Sequence, residues 1–252
     1  MATPVTPSPE PAPSVSSFGR IFGAIFNPKP TFESIAQRPT WVLPLILICL
    51  VSVVVVFAFS QRVGWRGFME RQDQTNSRVQ KQMEAMTPDQ REQMLATQTK
   101  YASIFGYVGA VLGAFIGALV VAAILLAAFN LMSGGGINFV TSLGIVTHSW
   151  VPGIIGGLLG ILVIFLKDPS TVDIQHLVAT NAGAFLSDDA PKWQESLLSS
   201  LDIFTFWTMI LMAIGYSAAN PKKISFGKAL VTIGVVWAIY VACKVGFASA
   251  FS

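Results

Sequence analysis

Charge is scarce in this chain. Only 12% of its 252 residues are Asp, Glu, Lys or Arg, about half the share that a water-soluble domain carries. Cysteine is scarcer still: Cys49 and Cys243 are the only two, both inside apolar runs. That excludes a disulfide framework and a thiolate metal site. The two histidines, His148 and His176, lie in different segments and are too few for a histidine-rich metal cluster. There is no H-E-x-x-H zinc motif, no G-x-S-x-G nucleophile elbow and no G-x-x-x-x-G-K-[ST] phosphate loop. Nothing therefore marks an enzyme, and no cofactor is expected. A net charge of only +3, with the bases scattered between loops, argues against a nucleic-acid partner.

The opening stretch MATPVTPSPEPAPSVSS lacks a basic n-region and an apolar h-region, so it does not read as a cleavable signal peptide. Five prolines among its first thirteen residues predict a disordered tail over residues 1–17.

Apolar sequence is what the chain has in abundance. Hydrophobic residues make up 53% and mean hydropathy is +0.62. A hydrocarbon core of about 30 Å needs roughly 20 apolar residues per helix. Segments near 41–60, 102–131, 142–166, 203–219 and 229–251 hold almost no charge. The prediction is an all-α polytopic helical membrane bundle of five transmembrane helices over residues 18–252, in contact with the lipid bilayer and with the first span as its insertion signal.

Several local patterns refine that prediction. Phe18, Ile21, Phe22, Ile25 and Phe26 recur at helical spacing, with Ser16 or Ser17 as a cap and Arg20 as the only charge. They predict a short N-terminal helix lying in the membrane interface, docked on the protein's own spans, or both. Trp41 marks the bilayer boundary. In the polar stretch 61–100, Thr87-Pro88-Asp89-Gln90 reads as a helix start leading straight into the second span. That stretch is either a solvated connector, the reading favoured here, or a partner-binding hairpin. Ile174, Leu177, Val178 and Phe185 predict a surface helix in the loop 167–200, with His176 solvated.

Small residues recur every four positions. Gly109, Gly113 and Gly117 lie in the second span; Gly153 with Gly157, and Gly156 with Gly160, lie in the third. Such spacing lets helix backbones approach closely in lipid, and it predicts a tight hairpin of spans two and three. Pro152 cannot donate to the carbonyl of His148, so a kink is expected among Thr147, His148 and Ser149. Kinks of this kind are commonly structural, although broken spans also build transporter sites.

Asp202 heads the fourth span. Three readings are open: an N-cap, an intramembrane partner for Lys244 at similar depth, or part of an ion or proton relay. Orientation is closely balanced on charge. Arg20, Lys29, Arg38, Lys222, Lys223 and Lys228 favour a cytoplasmic N-terminus, whereas the stretch 61–100 carries seven bases on the other side.

The stretches IFNPKPTFESIAQRPTWVLPLIL, THSWVPGIIGGLLGIL and LDIFTFWTMILMAIGYS resemble the bacterial branch of the Yip family, membrane proteins named for interacting with Ypt/Rab GTPases. The resemblance covers about residues 18–250. It implies five membrane helices with a cytoplasmic N-terminus, in a bacterial cell (inner) membrane. For eukaryotic members it implies roles in vesicle trafficking and membrane shaping with GTPases or fellow members as partners. The polar N-terminal region here is short and does not match the GTPase-contacting region, so GTPase binding is not carried over. The expected function is a non-enzymatic scaffold or adaptor in membrane organisation, with other membrane proteins or a second copy as partners. The alternative is a small-solute or ion transporter or channel using the Pro152 kink with His148, with Asp202 as a further candidate.

Overall fold

A computed structural model describes residues 16–250 apart from 76, 173, 175, 188 and 189. The tail expected over residues 1–17 lies almost wholly outside the described residues. Ser16 accepts a hydrogen bond from the Gly19 amide at 3.0 Å and caps helix α1 (Ser17–Phe26). Asn27-Pro28 turns the chain into α2 (Pro28–Gln37), where proline at the first helical position costs no hydrogen bond.

The first long apolar helix is α3 (Val42–Arg62). Gly64, at φ +77°, turns the chain into a polar helical hairpin of α4 (Trp65–Thr75) and α5 (Ser77–Glu84) against α6 (Pro88–Val108). Thr87 and Gln90 form the expected reciprocal capping box at the start of α6. Through a π-helical turn at Gly109–Gly113, α6 continues without a break into α7 (Ala114–Ser133).

A loop containing Gly134 and Gly136, both at positive φ, leads into α8 (Phe139–Ser149). Trp150 interrupts the helix, and α9 (Val151–Leu166) completes the passage. The short α10 (Lys192–Leu198) precedes α11 (Ile203–Ala219) and α12 (Phe226–Ala250).

Among the described residues, four helical passages are long and apolar enough to cross a membrane: Val42–Arg62, Pro88–Ser133, Phe139–Leu166 and Phe226–Ala250. Only 17–28% of each apolar window is buried inside the protein, so most of this surface faces lipid. The fourth expected span, α11, has 17 residues, about 25 Å at 1.5 Å per residue. Its two ends nevertheless lie at opposite ends of the bundle. Asp202 sits beside the contacts made by Lys244, while Asn220 donates to the Gly135 carbonyl at 2.7 Å.

Among the described residues, no α-helix forms where Ile174, Leu177, Val178 and Phe185 predicted one. A 3-10 turn at Ala182–Phe185 and an isolated bridge between Asn181 and Asp202 take its place. The loop is instead pulled inward: Val172 is buried, Ile174 and Leu177 pack on Phe59 and Ile164, and Phe185 points outward. His176 is half-buried, with Nε2 close to Gly183, and not fully solvated.

Two apolar cores sit at the two ends of the bundle. The larger gathers Phe32 and Ile35 of α2 with Leu125, Phe129, Ile145, Leu211 and Tyr216. Within it Phe129 and Tyr216 stack at 4.2 Å between ring centroids. The smaller core holds Ala58, Phe59, Ile164 and Val172.

Candidate functional site

Lipid tails are as apolar as leucine, so helices in a bilayer are held together by close packing and hydrogen bonds more than by hydrophobic transfer. The inner polar contacts follow that rule. Ser142 Oγ donates to the Ala122 carbonyl at 2.7 Å and shares a hydrogen bond with the Tyr216 hydroxyl. One side chain thereby ties together the second, third and fourth spans.

Spans two and three do form a hairpin, but its small-residue contacts lie lower than Gly109 and Gly113. No atom would come within 4 Å of a Cβ at either glycine; only Gly117 has a close neighbour, the Trp150 ring at 3.3 Å. Ala118 and Ala122 are fully buried where α7 meets α8. In the third span, a Cβ at Gly157 would meet Val51 of the first span at 2.6 Å, and one at Gly156 would meet Phe204 of the fourth at 3.2 Å. Gly153 faces open space. The glycines of span three therefore admit spans one and four, not span two.

Asp202 is an N-cap. Its Oδ1 accepts from the Thr205 amide at 3.0 Å and its Oδ2 from the Thr180 hydroxyl at 2.6 Å. Lys244 reaches the same depth but forms no ion pair with it. Lys244 Nζ donates to Ser199 Oγ at 3.0 Å and Ser200 Oγ at 3.3 Å. The physical reason is local: both carboxylate oxygens are already engaged, and the preceding serines offer the nearest free acceptors. Spans four and five are joined by a lysine–serine contact in place of the expected ion pair.

The kink at Pro152 is present, and Trp150 rather than His148 stands at its centre. Gly153 donates to the Trp150 carbonyl at 2.9 Å across the break. The imidazole of His148 is 1% exposed, with Nδ1 at 2.8 Å from the Gly144 carbonyl. A carbonyl only accepts, so Nδ1 carries the proton. Thr147 bonds back to Leu143 at 2.9 Å, and Ser149 Oγ is buried with no hydrogen-bond partner.

Arg20, the single charge of α1, is only 5% exposed. Its Nη1 donates to the Arg38 carbonyl at 2.7 Å and Thr40 Oγ1 at 3.0 Å, and its Nη2 to Ser34 Oγ at 2.9 Å. It also lies within electrostatic reach of His148. The guanidinium fork thus staples α1 to the end of α2 and to the entry of the first span. The opposite face of α1 presents Phe18, Phe22 and Phe26, 62%, 63% and 81% exposed. The docked reading of this helix is realised through Arg20, and its other face leaves three phenylalanine rings uncovered.

Between the two cores lies a cavity of about 890 Å³ lined by all five expected spans. Its walls are apolar, with Trp150 at the end nearer the larger core and Leu177 at the other. His148 and Pro152 are not among its lining residues. Among the described residues no group of three or more His, Cys, Asp and Glu could hold a metal ion.

Sequence reasoning missed the Arg20 staple, the Ser142–Tyr216 contact and the joining of two loops by Asn220 and Lys223, which donate to the Gly135 and Gly134 carbonyls at 2.7 Å each. Arg20 carried a usable signal, since a lone charge beside Ile21 and Ala24 falls on the packed side of the helix. The other two depend on which spans are neighbours.

These features define a polytopic, all-helical membrane protein with a docked amphipathic N-terminal helix. The chain matches the Yip1 domain over residues 22–247 and belongs to that family. It is 28% identical over 222 residues to membrane protein YknW of Bacillus subtilis (strain 168), an alignment covering 86% of each chain. No solved structure matches it.

Proposed function

We propose that this protein is a non-enzymatic scaffold or adaptor that organises a bacterial inner membrane, with its N-terminus in the cytoplasm. The observation that carries the proposal is the α1 helix, fastened by Arg20 and displaying Phe18, Phe22 and Phe26. A helix held flat at one membrane face inserts its apolar side into one leaflet only. Such a device suits membrane organisation and docking of other membrane proteins or a second copy. Six bases and, among the described residues, only Glu33 as an acid mark the end of the bundle that carries α1, which supports the cytoplasmic placement.

The transporter reading draws less support. His148 is turned onto its own helix and away from the cavity, and Asp202 is consumed as a cap.

Crosslinking in native membranes, followed by mass spectrometry, tests the proposal. A near-stoichiometric protein partner or second copy should be captured by the natural chain. The triple variant Phe18→Ser, Phe22→Ser, Phe26→Ser should lose it, since those exposed rings play no part in the folded core. Recovery of this chain with lipid alone, together with solute flux in proteoliposomes, would overturn the scaffold reading.

A further inference from the structure

The 890 Å³ cavity sits within the size range of sites that enclose a small ligand, and its chemistry is selective. Trp150, Met212 and Ile233 line its deep part, and Val51 and Val55 one side wall. Water needs two to four polar partners to occupy such a space, and a polar solute would lose its hydration there without compensation. The walls are predominantly apolar and offer few polar groups, chiefly the hydroxyls of Ser52, Thr205, Thr208 and Tyr240.

The cavity is not sealed. Val120 and Ile124 of α7 and Tyr240 of α12 line it while being 48%, 47% and 62% exposed. Its side opening therefore lies along the seam between α7 and α12, two helices whose outer surfaces face the bilayer. What stands at that opening in a membrane is hydrocarbon.

One charge marks the rim. Lys244 follows Tyr240 by four residues, placing both on one face of α12. It is half-buried, has no carboxylate partner among the described residues, and is held beside the hydroxyls of Ser199 and Ser200. These serines precede Phe204 and Thr205, which line the same end of the cavity. Both hydroxyls donate to the Ser196 carbonyl and accept from Lys244, which leaves the ammonium one further N–H as a charge-assisted donor to a phosphate oxygen.

We propose that the cavity holds one acyl chain of a phospholipid, entering sideways between α7 and α12, with the lipid phosphate at Lys244. The lipid fills the gap that the five spans leave between their two cores. This inference is independent of the scaffold reading and survives its failure.

Native mass spectrometry of the full chain, extracted in mild detergent and supplied with phosphatidylglycerol, provides the test. The natural chain should retain one phospholipid through delipidating washes. Gly153→Leu projects a side chain into open space in the cavity, and should cut retention at least fivefold. Lys244→Met should weaken retention of phospholipid while leaving a neutral diacylglycerol unaffected. A second measurement guards against misfolded variants: quenching of Trp150, with the other five tryptophans replaced by Phe, by a phospholipid brominated in mid-chain. Quenching should be strong in the natural cavity and at least halved by Gly153→Leu. Equal retention, or equal quenching, in the presence and absence of the leucine would overturn the proposal, because the lipid would then lie only on the outer surface.

Discussion

Lys244 donates its hydrogen bond to Ser199 at 3.0 Å and not to Asp202, although all three reach the same end of the bundle. Asp202 and Lys244 therefore act separately. Asp202→Ala should cost more than about 1 kcal/mol, the usual worth of an N-cap, because the Thr180 hydroxyl also loses its acceptor, whereas Asp202→Asn should cost less because asparagine keeps the cap. Lys244→Met should bring a separate loss, and the double variant should show the simple sum in thermal unfolding of the detergent-solubilised protein. Recovery of stability in the double variant would restore a direct pair.

Glycines of the membrane helices should not all tolerate alanine alike. Alanine at Gly215 would press on Ile145 at 2.5 Å and Phe32 at 2.9 Å, and alanine at Gly157 on Val51 at 2.6 Å. Each should destabilise by about 1–3 kcal/mol through overpacking. Gly109→Ala and Gly113→Ala meet nothing within 4 Å and should be neutral or stabilising by up to about 1 kcal/mol, since alanine suits a helix better. Melting temperatures of the four variants would decide it; equal losses would contradict the packing described.

Arg20→Met should release α1. Its charge-assisted bonds are each worth about 1.5–3 kcal/mol, more than the buried Ile21 and Ala24 offer beside them. Arg20→Lys should not rescue, because one ammonium lacks the planar fork that reaches Arg38, Thr40 and Ser34 together. Limited proteolysis near Asn27 reads the outcome: rapid cleavage in both variants is expected, and protection in the lysine variant would contradict it.

The polar hairpin should respond to acid. Arg66 holds both oxygens of Glu92, at 2.7 and 2.8 Å, and keeps that carboxyl below its ordinary value. A folded-state pKa below the unfolded one means the contribution is complete above the unfolded value, about 4.3, and disappears as pH falls through the lowered folded value. The pair is solvent-exposed, so salt should weaken it further. Amide exchange in α6 should be unchanged from pH 7 to 5, after allowance for the intrinsic rate, and accelerate below about 4. Glu92→Gln should remove that acid step, and persistence of the step in the variant would assign it elsewhere.

Tyr216→Phe isolates a single interspan hydrogen bond. Ser142 keeps its bond to Ala122, so the loss should be near 0.6 kcal/mol and below about 1.7, the range for such bonds inside membranes. A much larger loss, measured by thermal unfolding, would show that the hydroxyl positions more than its own contact.

The helices were legible because their causes are local. A bilayer demands long apolar helices with internally satisfied backbones, and residues 42–62, 114–133 and 226–250 read that way from composition alone. The Thr87–Gln90 box was legible and the Asp202 cap was one of three open readings, since each bonds a backbone amide three residues away.

Partnership between distant residues was not legible. Period-four glycines announce that some helix approaches closely, but not which one; Gly157 receives Val51 of the first span because the third crosses the first there. The periodicity of Ile174, Leu177 and Phe185 suggested a helix, yet Ile174 and Leu177 are drawn into the gap beside Phe59 and Ile164, and tertiary burial outweighed local pattern. A membrane environment makes composition decisive for which segments cross it, because each crossing must satisfy its own backbone hydrogen bonds. Which faces then meet, where Lys244 finds its acceptors, and that a cavity remains between two cores are properties of several helices at once. Only their packing in three dimensions settled those.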